Sequence, residues 1–122
     1  MERFDKAESY SRQEIDKVQA ERLAQVVERA SQAPFYKERL AEAGISASSI
    51  KSVEDVTKIP FTTKDDLRSQ YPYGMLAKPL EEMVRLHASS GTTGSPTVIF
   101  HTTRDLDSWA SLMARCMHMA GV

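Results

Sequence analysis

Apolar residues recur at helical spacing in the first third of the chain and switch to short runs near its end. Ile15, Val18, Leu23, Val26, Val27 and Ala30 fall on one half of a helix, which predicts an amphipathic helix with one buried face. Ser11 and Glu14 have the spacing of a capping box and mark its start; the helix is expected to run to about Ser31. Pro34 suits the first turn of a second helix, carried by Phe35, Tyr36 and Leu40 to Ala43, with Gly44 placed as the residue just past its end. From Ile45 to Lys58 the chain is Ser-rich with apolar beats at Ile50, Val53 and Val56, which predicts one short turn near Val53–Val56. Ile59 precedes Pro60 and must be extended.

Thr62 or Thr63 then caps a third helix, with Asp65 and Asp66 in its first turn, Leu67 as its buried contact and Pro72 as its stop. Tyr71 to Leu80 reads as a connector punctuated by Pro72, Gly74 and Pro79. Met83 to Ala88 and Thr97 to His101 read as two strands of a hairpin. Thr102 to Asp105 caps a last helix whose stripe is Leu106, Trp109, Met113, Cys116 or Met117, and Ala120. The expected fold is therefore α+β: mainly helical, with one β-hairpin. Two parts are expected: a helical lobe over 1–80, and the hairpin with its helix over 81–122.

Composition narrows the classes. The chain has 122 residues, 41% hydrophobic and 27% charged, with a formal net charge of −1. That balance gives no bulk attraction to nucleic acid or to an anionic membrane. One cysteine, Cys116, excludes an internal disulfide framework and a CxxC zinc pattern. The charged start, Glu2 to Lys6, lacks the apolar core of a signal peptide, and no apolar run reaches the length of a membrane span. A cytoplasmic location is expected.

The candidate chemistry lies between the two strands. Ser89-Ser90-Gly91-Thr92-Thr93-Gly94-Ser95-Pro96-Thr97 combines hydroxyls and glycines with little side-chain bulk. Bare backbone N–H groups and hydroxyls are what a phosphate cradle uses, and glycine lets the backbone approach an anion closely. The connection is longer than a tight hairpin requires, as binding loops often are. It is neither a Walker A loop nor a GxGxxG turn.

The string from Ser89 to Gly94, with Pro96 after it, resembles the phosphate-binding loop of the adenylate-forming superfamily. Its flanks, Arg85-Leu86-His87-Ala88 before it and Ile59-Pro60-Phe61-Thr62-Thr63-Lys64-Asp65-Asp66-Leu67-Arg68 further upstream, are similar to phenylacetate-CoA ligases. So are Pro34-Phe35-Tyr36 and the start of the last helix, Asp105-Leu106-Asp107-Ser108-Trp109-Ala110. The resemblance implies an N-terminal fragment of the larger α/β domain of these enzymes. It implies a ligase that adenylates an aryl carboxylic acid with Mg2+ and ATP, then transfers the acyl group to coenzyme A. Ser89, Ser90, Thr92 and Thr93 would supply hydroxyls, Gly91 and Gly94 backbone clearance, and Pro96 the return into the second strand. The loop departs from the family at Ser95, where lysine is usual. The segments that bind adenine, ribose and metal, and the catalytic lysine, lie downstream in the family, so the fragment is expected to be inactive alone. No residue of this stretch is assigned to catalysis or to a metal.

A different class of function is also open: a non-catalytic remnant or a helical interaction module. The apolar stripe of the last helix has no visible cover, and self-association through it is expected. His87 and His101 are read as strand residues, Cys116 as a packed thiol, and Met75, Met113, Met117 and Met119 as core filler. Tyr36, Tyr71 and Tyr73 are expected to pack the helical lobe.

Overall fold

The computed structural model describes residues 5–89 and 96–122. Four helices and one strand pair follow in the order α1 (Arg12–Ala30), α2 (Pro34–Glu42), α3 (Lys64–Ser69), β1 (Met83–Ser89), β2 (Thr97–Thr102) and α4 (Thr103–Met119). Short 3-10 turns join them: Lys6–Ser9 before α1, Ala47–Ser49 and Val53–Lys58 between α2 and α3, and Leu80–Glu82 before β1.

Helix starts are set by local polar pairs. At α1 the Ser11 N–H donates to Glu14 at 2.7 Å, and the Glu14 N–H donates back to the Ser11 hydroxyl at 3.3 Å. Thr63 and Asp66 repeat this at α3, and Thr102 and Asp105 at α4. Each box satisfies donors that a helix start leaves orphaned. α2 starts on Pro34 instead, whose missing N–H would have been an orphan anyway. Gly44 follows its end at φ +66°, a left-handed conformation that side chains disfavour.

The core is small and lies among the first elements. Val27 of α1, Leu40 of α2 and Ile50 form it, with Leu23, Ala24, Ala30, Tyr36, Ile45 and Ile59 packed around them. The two turns between α2 and α3 both lie against α1. Asp55 is buried beside this core and fully engaged. The backbone N–H groups of Lys51 and Ser52 donate to one of its oxygens at 2.7 and 2.9 Å, and the Lys58 ammonium donates to the other at 2.6 Å. The Lys58 hydrogen bond, with the two backbone donors, holds the Asp55 carboxyl far below the usual carboxylate range. Arg39 of α2 reaches Asp66 of α3 at 3.0 Å and fixes α3 to the helical part.

The connector returns the chain to the hairpin. The Phe35 N–H donates to the Gly74 carbonyl at 3.1 Å, so the connector closes on the start of α2. A Cβ at residue 74 would collide with Gln70, including its backbone carbonyl at 3.0 Å. The Tyr71–Pro72 peptide bond is cis. Tyr73 then lies against Phe100 of β2, with ring centroids 6.0 Å apart.

Several expectations fail for one shared reason. Val26, assigned to the buried face of α1, is exposed, because the core takes the side bearing Val27 and Leu23. Tyr71 and Tyr73 are exposed and do not fill the helical part; Tyr73 serves β2 instead. Cys116 is exposed and not packed. Met113, Met117 and Met119 are exposed and fill no core. Amphipathic spacing marks a face that can be buried; it does not supply the partner that buries it, and among the described residues Met113, Met117 and Met119 of α4 remain exposed.

Candidate functional site

β1 and β2 run antiparallel, with Leu86 opposite Phe100, His87 opposite Ile99, Ala88 opposite Val98 and Ser89 opposite Thr97. The ladder is irregular between Met83 and Arg85, which leaves Val84 as an extra residue at the far end. Opposite residues in such a pair share a face. Arg85, His87 and Ser89 therefore stand on the same side as His101, Ile99 and Thr97. Leu86, Ala88, Val98 and Phe100 stand on the other side, where Tyr73 meets Phe100.

The Ser89–Thr97 pair is the last of the ladder, and it brackets the candidate loop. Of the sequence-predicted site residues, Ser90, Gly91, Thr92, Thr93 and Gly94 lie outside the described residues. Ser89 closes β1 with an exposed side chain. Pro96 is exposed and directly precedes the first residue of β2. A proline has no N–H to give to a ladder, so it belongs at this position just before a strand.

Thr97 is the last residue of the candidate stretch, and its burial is what sequence reasoning did not foresee. It is 8% exposed, and its hydroxyl oxygen has no hydrogen-bond partner among the described residues. The signal for it was present: alternation from Ser89 across the register puts Thr97 on the same face as the first residue of the loop.

Below that pair, α4 covers one face of the hairpin with Trp109. The His87 and His101 rings lie 4.9 Å apart, and Trp109 lies 5.3 Å from His87 and 5.8 Å from His101. The two imidazoles thus make an aromatic contact that holds the strands to α4. The start of α4 is anchored at the other end of β2. There the Thr102 N–H donates to Asp105 at 2.8 Å, and this contact foremost lowers the Asp105 carboxyl from its usual value.

A cleft of about 970 Å³ opens at that same far end, with Val26, Arg29, Met75, Val84 and Arg104 among its lining. It is separated from Ser89 and Thr97 by the length of β2 and is not part of the candidate loop. Among the described residues no group of three or more His, Cys, Asp or Glu side chains could hold a metal ion. No helix among them is long and apolar enough to cross a membrane.

This arrangement, a short helical bundle feeding an antiparallel pair with a helix leaving it, is that of a segment of the adenylate-forming CoA ligases. A crystal structure of 2-hydroxyisobutyryl-CoA ligase, in complex with 2-HIB-AMP and CoA in the thioesterification state, superposes with a TM-score of 0.79 and 35% identity over 89% of this chain and 24% of that one. An open conformation of the same ligase superposes with a TM-score of 0.74 and 33% identity, over 86% of this chain and 24% of that one.

Sequence narrows the likeness to phenylacetate-coenzyme A ligases. The Pseudomonas putida enzyme is 47% identical over 119 residues, covering 97% of this chain and 27% of the relative. Those of Escherichia coli and Thermus thermophilus are 40% and 44% identical, covering 98% and 93% of this chain and 28% and 26% of the relatives. The chain thus spans about a quarter of the length of the curated relatives it matches. No family model matches it.

Proposed function

We propose that this chain is one part of an ATP-dependent, AMP-forming CoA ligase for an aryl acid of the phenylacetate type. The observation that carries the reading is identity of 40–47% to phenylacetate-coenzyme A ligases over nearly the whole chain. In this reading a carboxylate oxygen of the acid attacks the α-phosphorus of ATP. An acyl-adenylate forms and pyrophosphate leaves. The sulfur of coenzyme A then attacks the acyl carbon, forming the thioester and releasing AMP.

The residues from Ser89 to Pro96 hold the departing phosphates. Ser89, Ser90, Thr92 and Thr93 donate hydroxyls, and Gly91 and Gly94 let the backbone come close. Donors fixed before the reaction stabilise the charge that builds on the leaving group without having to reorganise. Ser95 puts no positive charge in the loop, so its contact with phosphate depends on hydroxyls and backbone. Magnesium and coenzyme A belong to the reaction, and no residue of this stretch is assigned to either. The chain by itself performs neither step. Its division into a helical part over 1–80 and a hairpin part over 81–122 belongs to this reading, as does a cytoplasmic setting. Calorimetric titration with Mg-ATP tests it: heat of binding that Gly91→Val abolishes is expected, and a wild-type chain that takes up no nucleotide counts against the loop assignment.

One observation favours a second reading, a non-catalytic module that pairs with another copy. Trp109 and Leu112 of α4 are 47% and 59% exposed, and Met113 and Met117 extend the same uncovered apolar surface. Apolar surface of this kind marks contact sites. Sedimentation at high concentration separates the two: a clean monomer sinks the second reading.

A further inference from the structure

Val26 of α1 and Val84 of β1 belong to the two parts of the chain, yet both line one cleft of about 970 Å³. They are 51% and 55% exposed. Val84 is the extra residue where the ladder shifts between Met83 and Arg85, and a bulge of that kind re-aims a side chain. Ala30, Tyr36, Met75 and Ala77 continue the wall, so the lining is largely apolar. A cleft of this size, apolar with a few polar groups, is the usual form of a small-molecule site. The charged groups sort by end. Lys78, Glu81 and Glu82 stand at the connector end, where the Lys78 ammonium lies 3.4 Å from Glu82. Arg29 and Arg104 stand at the other end: they line both this cleft and a smaller one of about 390 Å³ beside it, which none of those three lines.

Arg29 comes from α1 and Arg104 from the first turn of α4, so two positive charges reach one ridge from separate elements. Among the described residues neither guanidinium forms an ion pair. Arg29 gives its Nε to the Gln25 carbonyl of its own helix at 3.2 Å, and Arg104 makes no hydrogen bond among the described residues. The nearby carboxylates do not change this. Asp105 is committed to Thr102 and feels Arg29 only through space, and Glu28 lines the smaller cleft without pairing with either arginine. Like charges brought together repel, and an anion set between them relieves that cost.

We propose that this cleft is a second binding site, one for an amphipathic carboxylate. The apolar body of the ligand lies along Val26, Ala30, Met75 and Val84, and its carboxylate accepts hydrogen bonds from Arg104 and Arg29. A guanidinium presents its donors in the planar fork that a carboxylate matches. Covering the two valines removes apolar surface from water and favours association. The site lies the length of β2 away from Ser89 and Thr97, so the inference does not rest on the phosphate reading of the loop.

Octanoate is the probe and octanol its neutral counterpart, each titrated calorimetrically into the 122-residue chain at neutral pH. Octanoate is expected to bind, and octanol to bind about tenfold more weakly, as for loss of a hydrogen bond to a charged group. Arg104→Gln is expected to lower octanoate affinity by a similar factor. Its melting should stay level or rise, because a cation at a helix start is unfavourable. Val26→Asp, which sets a negative charge in the apolar wall, is expected to abolish binding. Leu112→Asp, on the open face of α4, controls for uptake by any apolar surface and is expected to bind as the wild type does. Wild-type affinity in Arg104→Gln, equal binding of octanol, or binding lost in Leu112→Asp overturns the inference. So does a wild-type chain that takes up no octanoate. The methyl NMR signals of Val26 and Val84 in the wild type decide whatever the variants do: they shift on adding octanoate, or the inference fails. Gly91→Val is expected to leave octanoate affinity unchanged, so a failure of Mg-ATP binding at the loop and a failure of this site are told apart.

Discussion

The part around Val27 and the part around the hairpin treat their apolar residues in opposite ways. In the first, α1 and α2 turn Val27 and Leu40 inward, to 2% and 4% exposure, and the intervening turns close over them. In the second, Val84, Leu86, Ile99 and most of the α4 stripe remain open, and among the described residues the one most withdrawn from water is a threonine. Yet α4 has the cleaner amphipathic pattern of the two long helices. The difference teaches that pattern and burial are separate facts. The helical part holds both halves of its contact within a few dozen residues of chain. The hairpin part presents one half of a contact, together with the loop chemistry.

The comparison breaks most visibly in the core. Leu40→Ala should destabilise the chain by about 2–5 kcal/mol in urea unfolding, the usual cost of a cavity where the surroundings relax little. Trp109→Ala, removing a larger side chain, should shift the same transition far less, because that ring is half in water. Equal losses at the two sites would overturn the contrast.

Acid sharpens it next. The Asp55 carboxyl is lowered chiefly by the Lys58 hydrogen bond, so its contribution to stability is present above the unfolded carboxylate value of about 4 and is lost as the pH falls below it. Stability should therefore fall on going from pH 6 to pH 3, and Asp55→Asn should flatten that fall while lowering stability at pH 6. Unfolding curves across that range check it, and a parallel acid limb in the variant would remove Asp55 from the explanation.

Gly44→Ala should cost about 1 kcal/mol, because residue 44 sits at φ +66° with open space where the Cβ would go. The effect belongs to the backbone and not to packing, so Gly44→Asn should recover part of it in the same assay. The smallest effect on stability is expected from Leu112→Ser on the open face of α4, within about 0.5 kcal/mol. Its readout is sedimentation, where any self-association of the wild-type chain should weaken.

Much of this fold could be read from single residues. Ser11 with Glu14, Pro34, Gly44, and Thr102 with Asp105 each act within one helical turn, and each stands where its type predicts. What the sequence hid depends on distant chain. The 3-10 turns at Ala47–Ser49 and Leu80–Glu82 are too short to show a period. The burial of Asp55 required knowing that Lys51, Ser52 and Lys58 would converge on it. Tyr73 reads as part of the helical part, but the cross-sheet neighbour that claims it, Phe100, lies beyond the next element. For the site, the loop string itself was legible as phosphate chemistry. That the Thr97 hydroxyl at the end of that string finds no partner among the described residues was not, because an unpaired atom is a property of surroundings and not of a letter.

The three hydroxyl–acid boxes at Ser11, Thr63 and Thr102 have a consequence for the order in which structure forms. Each closes over three residues, so each can form as soon as that short stretch has left the ribosome. Helix turns of this kind form within about a microsecond. The Ser89–Thr97 pair must instead bring together the two ends of a glycine-rich span, a slower search with more entropy to lose. During synthesis α1 and α3 can already be capped while β1 waits for its partner. Thr102 then starts α4 at the residue where β2 ends, so the last strand and the last helix are set down as one continuous piece.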